Sequence, residues 1–140
     1  MSYTIVESTK TKVNNVTAVQ DILDNYWCGF EPQIEPEHAG TGTLTLAGWD
    51  ADPQAVHVDQ WPDDEEYPDE DDWDDAMQLV LEEKGNEGFV AMLRELAPYL
   101  QTPLTVVWHS IFEGHFGGAG QWTVQPGSPD VQVQEVFPLA

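Results

Sequence analysis

The sequence predicts one α+β domain over residues 1–140, an antiparallel sheet packed against two or three helices. Three observations lead there. The chain has 140 residues, 41% of them hydrophobic and 11% aromatic, which is enough to bury a core in a single domain and unlike a disordered chain. Period-two alternation recurs near the beginning, the middle and the end of the chain. Helical periodicity is confined to two blocks between those stretches, and such partial segregation is the α+β pattern.

The elements follow in order. Residues 3–9, YTIVEST, alternate weakly and read as an opening strand. Asn14-Asn15 is a turn signal. Thr17 followed by Gln20 fits a capping box, in which each side chain satisfies the other residue's free backbone N–H. Val19, Ile22, Leu23 and Tyr26 then share one face, so a helix is expected at roughly 17–27. Residues 28–41 are rich in proline and glycine and read as a loop. GTLTLAGW and AVHVDQW alternate on either side of a Gly-Asp-Pro turn, which predicts a β-hairpin at roughly 42–60.

The second half begins with an acidic segment broken by Pro62 and Pro68, placed as a loop and helix start at about 61–75. Asp72 to Asp75 suit a helix start, because carboxylates offset the positive end of the helix dipole. Trp73, Ala76, Met77, Val80 and Leu81 repeat at helical spacing. Gly85 sits where a C-cap glycine belongs and Asn86 where a second helix could be capped. That second helix would turn Phe89, Met92, Leu93 and Leu96 inward and end at Pro98. LTVVWHSIF, GQWTVQ and VQVQEVF predict a terminal three-stranded meander, with GHFGGAG and PGSPD as its turns and Val131, Val133 and Val136 as its alternating apolar positions.

Charge dominates the functional reading. There are 26 Asp and Glu against 4 Lys and Arg, a formal net charge of −22. Direct binding to DNA, RNA or an anionic membrane is therefore excluded as a default, because those partners are polyanions. Residues 63–75, DDEEYPDEDDWDD, hold ten of the carboxylates in thirteen positions. The remaining 16 acids and 4 bases leave a net of −12 over 127 residues. A dense patch thus stands on a mild background. Uniform adaptation to molar salt would spread the acid instead, and a self-repelling solvated loop would be short of aromatics. Here Trp61, Tyr67 and Trp73 punctuate the carboxylates, as on a surface that docks to a partner or folds back onto the core. One cysteine precludes an internal disulfide framework. No run approaches the ~20 apolar residues of a membrane helix. MSYTIVESTKTK lacks an export pattern, so a cytoplasmic protein is expected.

Catalytic and metal chemistry find little support. An EF-hand loop started at Asp69 would place Trp73 at position five and Asp74 where glycine must turn the chain. His38, His57, His109, His115 and Cys28 form no metal-ligand spacing. Cys28 has no basic neighbour in sequence to make it a thiolate. Ser110 lacks a nucleophile-elbow context, and the glycines of GHFGGAG do not open a helix as a phosphate cradle does. Trp108 and Trp122 read as core aromatics of the meander. No enzyme, cofactor or metal site is expected.

In size and in its DDEEYPDEDDWDD run, the chain resembles the DNA-mimic inhibitors of phages and plasmids, the anti-restriction and anti-CRISPR proteins. It is similar in kind to the immunity proteins that neutralise nuclease toxins. GFVAMLRELAPYL and GQWTV resemble, over about a third of the chain, small actinobacterial and phage proteins with a terminal hairpin, which implies no activity. The first resemblance implies an inhibitor that occludes a basic nucleic-acid-binding or nuclease surface. The expected interface is Asp63, Asp64, Glu65, Glu66, Tyr67, Asp69, Glu70, Asp71, Asp72, Trp73, Asp74 and Asp75, and the expected partner a basic protein. The alternatives are an acidic assembly module with another basic partner, or an ordinary domain from a halophile.

Overall fold

The computed structural model describes residues 3–49 and 51–136. In chain order these form β1 (Tyr3–Ser8), β2 (Thr11–Val13), α1 (Val16–Asp24), β3 (Tyr26–Cys28), β4 (Glu31–Pro36), β5 (Gly42–Trp49), β6 (Ala55–His57), α2 (Glu70–Leu96), β7 (Leu104–Phe112), β8 (His115–Val124) and β9 (Val131–Val136). The fold is α+β. A seven-stranded antiparallel sheet carries one long helix, and a second, two-stranded sheet joins β3 to β6.

In the large sheet, β1 and β2 follow one another along β5, and β4 takes the other edge of β5. On its other side β1 pairs with β7, and the predicted meander β7-β8-β9 completes the sheet. Directly opposed residues point to the same face, so the register of Val6 on Trp108 and of Val106 on Trp122 defines an inner face. Val6, Val13, Leu44, Leu46, Leu104, Val106 and Val124 are buried there against Val19 and Leu23 of α1 and Phe89, Met92, Leu93 and Leu96 of α2. The outer face stays in water, as one face of an antiparallel sheet can; on it Tyr3 stacks on the exposed Trp49 with ring centroids 4.9 Å apart.

Several local expectations change. Asn15, not Thr17, caps α1, its side chain accepting the Ala18 N–H at 3.0 Å. The helix ends at Asp24, and Tyr26 continues as β3 on β6 instead of as a last helical turn. The proline-rich segment expected as a loop contains β4. Pro32 and Pro36 share one parity on this edge strand, where a missing N–H is tolerated. Both strands of the expected hairpin form, but they pair elsewhere, β5 with β1, β2 and β4 and β6 with β3. Most of GHFGGAG belongs to β8, and the turn before it is Glu113-Gly114, with positive φ at both residues, as a two-residue hairpin turn requires. The last strand's Phe137 lies outside the described residues.

The two helices expected on either side of Gly85 are one helix of 27 residues. Gly85 is buried in mid-helix rather than at a C-cap. A Cβ there would meet the Gln54 side chain at 2.8 Å, and one at Gly88 would meet the Ala55 carbonyl oxygen at 1.9 Å. The two glycines therefore serve close packing: they let β6 lie directly against α2. The helix ends just before the 3-10 turn Ala97–Tyr99, which contains Pro98.

Candidate protein-docking face

The acidic segment is built from short local hydrogen bonds. The Asp63 carboxylate accepts the Glu65 N–H at 2.9 Å, and the Asp63 carbonyl accepts the Tyr67 N–H at 2.9 Å. Asp69 then caps α2, its carboxylate accepting the Asp71 N–H at 2.9 Å. The helix thus starts at Glu70, two residues before the expected Asp72, because Asp69 supplies the acceptor that the free N–H groups need. Glu70, Asp71 and Asp72 occupy the first turn, where the dipole favours them. The segment is a capped turn leading into a helix rather than an open loop.

Two of the three interleaved aromatics fold back onto the body. The Trp61 indole N–H donates to the Val56 carbonyl at 2.9 Å, and that of Trp73 to the Pro62 carbonyl at 2.9 Å. Together with Trp27 and Val80, these half-buried rings cover a small second core of Val56, Met77 and Leu81. This core fixes the 61–75 segment between β6 and the first turns of α2. Tyr67 is half-buried and, with Pro68 and Trp73, lines a groove of about 390 Å³ whose acidic lining residues are Asp64, Glu70 and Asp74.

Every carboxylate of the run is exposed: Asp63, Asp64, Glu65, Glu66, Asp69, Glu70, Asp71, Asp72, Asp74 and Asp75. The pairs Glu70/Asp74 and Asp71/Asp75 stand one helical turn apart, ~6 Å. Glu82, Glu83 and Glu87 extend acid along exposed positions of the same helix. Among the described residues neither the Lys12–Glu37 ion pair at 2.8 Å nor the His57–Asp59 contact at 3.3 Å involves the run. Lys12, helped by Thr43, holds the Glu37 carboxyl below its usual range.

The other candidate groups do not assemble. Burial pushes the Cys28 thiol up to about 12, the opposite of what a nucleophile needs. His109 and Ser110 are successive residues of β7, so their side chains leave opposite faces of the sheet. Among the described residues no three His, Cys, Asp or Glu side chains gather as a metal-ligand set. No described helix is long and apolar enough to cross a membrane. Sequence reasoning found the acids but missed the capping roles of Asp63 and Asp69; aspartate two residues before each bonded N–H was the available signal.

No family model matches the chain, and comparison with curated proteins and with solved structures likewise returns no match.

Proposed function

We propose that the chain is an acidic protein inhibitor that mimics nucleic acid and occludes the basic DNA- or RNA-binding or nuclease surface of a partner, in the manner of anti-CRISPR, anti-restriction or nuclease-immunity proteins. The observation that carries this reading is a run of ten exposed carboxylates, held in order by backbone caps and a tryptophan-covered core, with no ion pair to it among the described residues.

Phosphates repeat every ~3.4 Å along one strand of DNA. Carboxylates one helical turn apart stand ~6 Å from each other, within the reach of lysine and arginine side chains arrayed to grip phosphates. A preformed helix start presents these charges without first ordering a loop, which lowers the entropic cost of docking. The opposite fields speed encounter. The groove beside Tyr67 and Trp73 has the chemistry to take an arginine, with ring faces for the guanidinium plane and Asp64, Glu70 and Asp74 for its N–H groups. The reading needs no cofactor, no metal and no catalytic group. An acidic assembly module would use the same face, but it would not compete with nucleic acid.

The test is capture of partners from a bacterial lysate at low salt, elution by a salt step, and repetition with excess duplex DNA. Retention of a basic nucleic-acid enzyme that DNA displaces supports mimicry. Retention indifferent to DNA overturns it. With a partner in hand, joint replacement of Asp71, Asp72, Asp74 and Asp75 by Asn should weaken binding and flatten its salt dependence; unchanged affinity at low salt would remove the run from the interface.

A further inference from the structure

We infer that the outer face of the large sheet is a self-association surface, on which a second copy of this chain packs sheet to sheet. In the single chain that face is open to water, and its middle is apolar. Register sets Ile5 beside Trp49 on one side and beside His109 on the other, Tyr3 beside Ile111, and Ile111 beside Phe116. Val107 follows on the same side of β7, two residues from His109. Tyr3, Ile5, Trp49, Val107, Ile111 and Phe116 therefore form one contiguous patch. Trp49 is 71% exposed, Phe116 45% and Val107 40%. Single exposed hydrophobics need no explanation, but a contiguous exposed patch marks an interaction site.

Charge names the occupant. Across β1, β7, β8 and β9 the outer positions whose side chains are described hold one carboxylate, Glu7, and no lysine or arginine. Glu31 and Glu35 stand at the far edge of the face, on β4. This is a sparse share of 26 acids. A basic protein would meet little to attract it here and is drawn to the dense run instead. A copy of the chain is repelled elsewhere, but on this face it meets neutral, apolar surface like its own. Two copies sharing one patch make the isologous contact of a two-fold dimer.

The size and the geometry fit that occupant. Strands β5, β1, β7, β8 and β9 lie side by side. At ~4.8 Å per strand and ~3.4 Å per residue, six residues deep, they span ~24 by ~20 Å. That plane of ~480 Å², enlarged by the relief of its side chains, approaches the ~800 Å² per partner of a standard interface. Twisted sheets pack face to face at about 30°. Helix α2 lies on the inner face, with the acidic run at its start. In such a pair two sheets ~10 Å apart and a helix layer on either side separate the runs. That exceeds the ~8–10 Å Debye length at physiological salt, and both runs remain free.

The experiment is sedimentation velocity of the full chain from ~1 to ~300 µM, in ~0.05 M and ~0.5 M sodium chloride. The expected result is a reversible monomer–dimer equilibrium that tightens with salt, because screening relieves like-charge repulsion. Val107→Glu and Phe116→Glu, both at exposed positions, should each weaken the dimer at least about tenfold with unchanged circular dichroism. Should one of them not fold, Trp49→Glu takes its place. Leu79→Glu, at an exposed position of α2, should leave the dimer as it is. A monomer over the whole range at both salts would overturn the inference. So would a dimer that the face variants leave intact, or one that Leu79→Glu abolishes. The inference stands apart from the reading of the acidic run, and none of these outcomes bears on it.

Discussion

Gly88 of the long helix lies so close to the carbonyl of Ala55 that a Cβ on the glycine would stand 1.9 Å from the oxygen. This contact ties β6 to α2. With β6 comes Val56, which meets Met77 and Leu81 in the second core beneath Trp61 and Trp73. The acidic segment is anchored on that core, so the position of the charged face depends on two glycines beyond it on the helix, Gly85 and Gly88.

Gly88→Ala therefore tests the anchor. Alanine is the better helix former by ~1 kcal/mol, and at an exposed site it would stabilise. Here it must push aside backbone, which cannot rotate away, and overpacking of that kind costs ~1–3 kcal/mol. Urea denaturation should show a net loss of stability. A gain would mean that β6 is free to move away from the helix.

Trp73 serves the fold as well as the surface, and its two contributions separate by substitution. Trp73→Phe removes the donor to the Pro62 carbonyl and should cost ~1 kcal/mol. Trp73→Ala also uncovers Val56, Met77 and Leu81 and should cost ~2–4 kcal/mol, somewhat below the range for fully buried aromatics. Equal midpoints for the two variants in chemical denaturation would show that the ring does not support the second core. Partner affinities of either variant are to be compared at temperatures where both are folded.

The α+β class, the meander and the inward faces of both halves of α2 were legible, because Val, Ile and aromatic alternation and helical spacing report burial directly. What was not legible depends on contacts distant in sequence. GTLTLAGW and AVHVDQW look like hairpin partners because they are adjacent, yet β5 is drawn to β1, β2 and β4 and β6 to β3. Gly85 looks like a helix end, and only the presence of Gln54 and Ala55 against the helix explains glycines in its middle. At the candidate docking face the exposed acids were legible from composition. The fate of Trp61 and Trp73 was not, since their acceptors are backbone carbonyls that any residue type could supply.

The carboxylates of the run oppose one another as well as repelling a polyanion. Screening over a Debye length of ~8–10 Å at physiological salt relieves that repulsion. Thermal midpoints of the native chain should therefore rise with added sodium chloride. The rise should be shallower after joint replacement of Asp71, Asp72, Asp74 and Asp75 by Asn, which removes four charges and leaves the Asp69 cap intact. Identical salt slopes would show that these four carboxylates do not repel one another appreciably in the folded state.

Alkaline pH should weaken the fold through two buried acids. Burial pushes the Cys28 thiol up to about 12, against ~8.5 for a free thiol. Burial, and then the hydrogen bond its hydroxyl donates to Glu95, raises Tyr26 well above the usual phenol range. Below the unfolded value both states hold the thiol proton, and the stabilising contribution is fully present. Above it the unfolded chain loses the proton first, so stability falls as pH climbs toward the folded value. Tyr26 acts in the same direction, beginning near the ordinary phenol value of ~10. Urea titrations at about pH 8 and about pH 10 should show a lower midpoint at the higher pH, and Cys28→Ala should lose less over that interval. Equal losses in the two proteins would show that Cys28 is not held as a thiol by burial, in which case iodoacetamide should also label it rapidly in the native state.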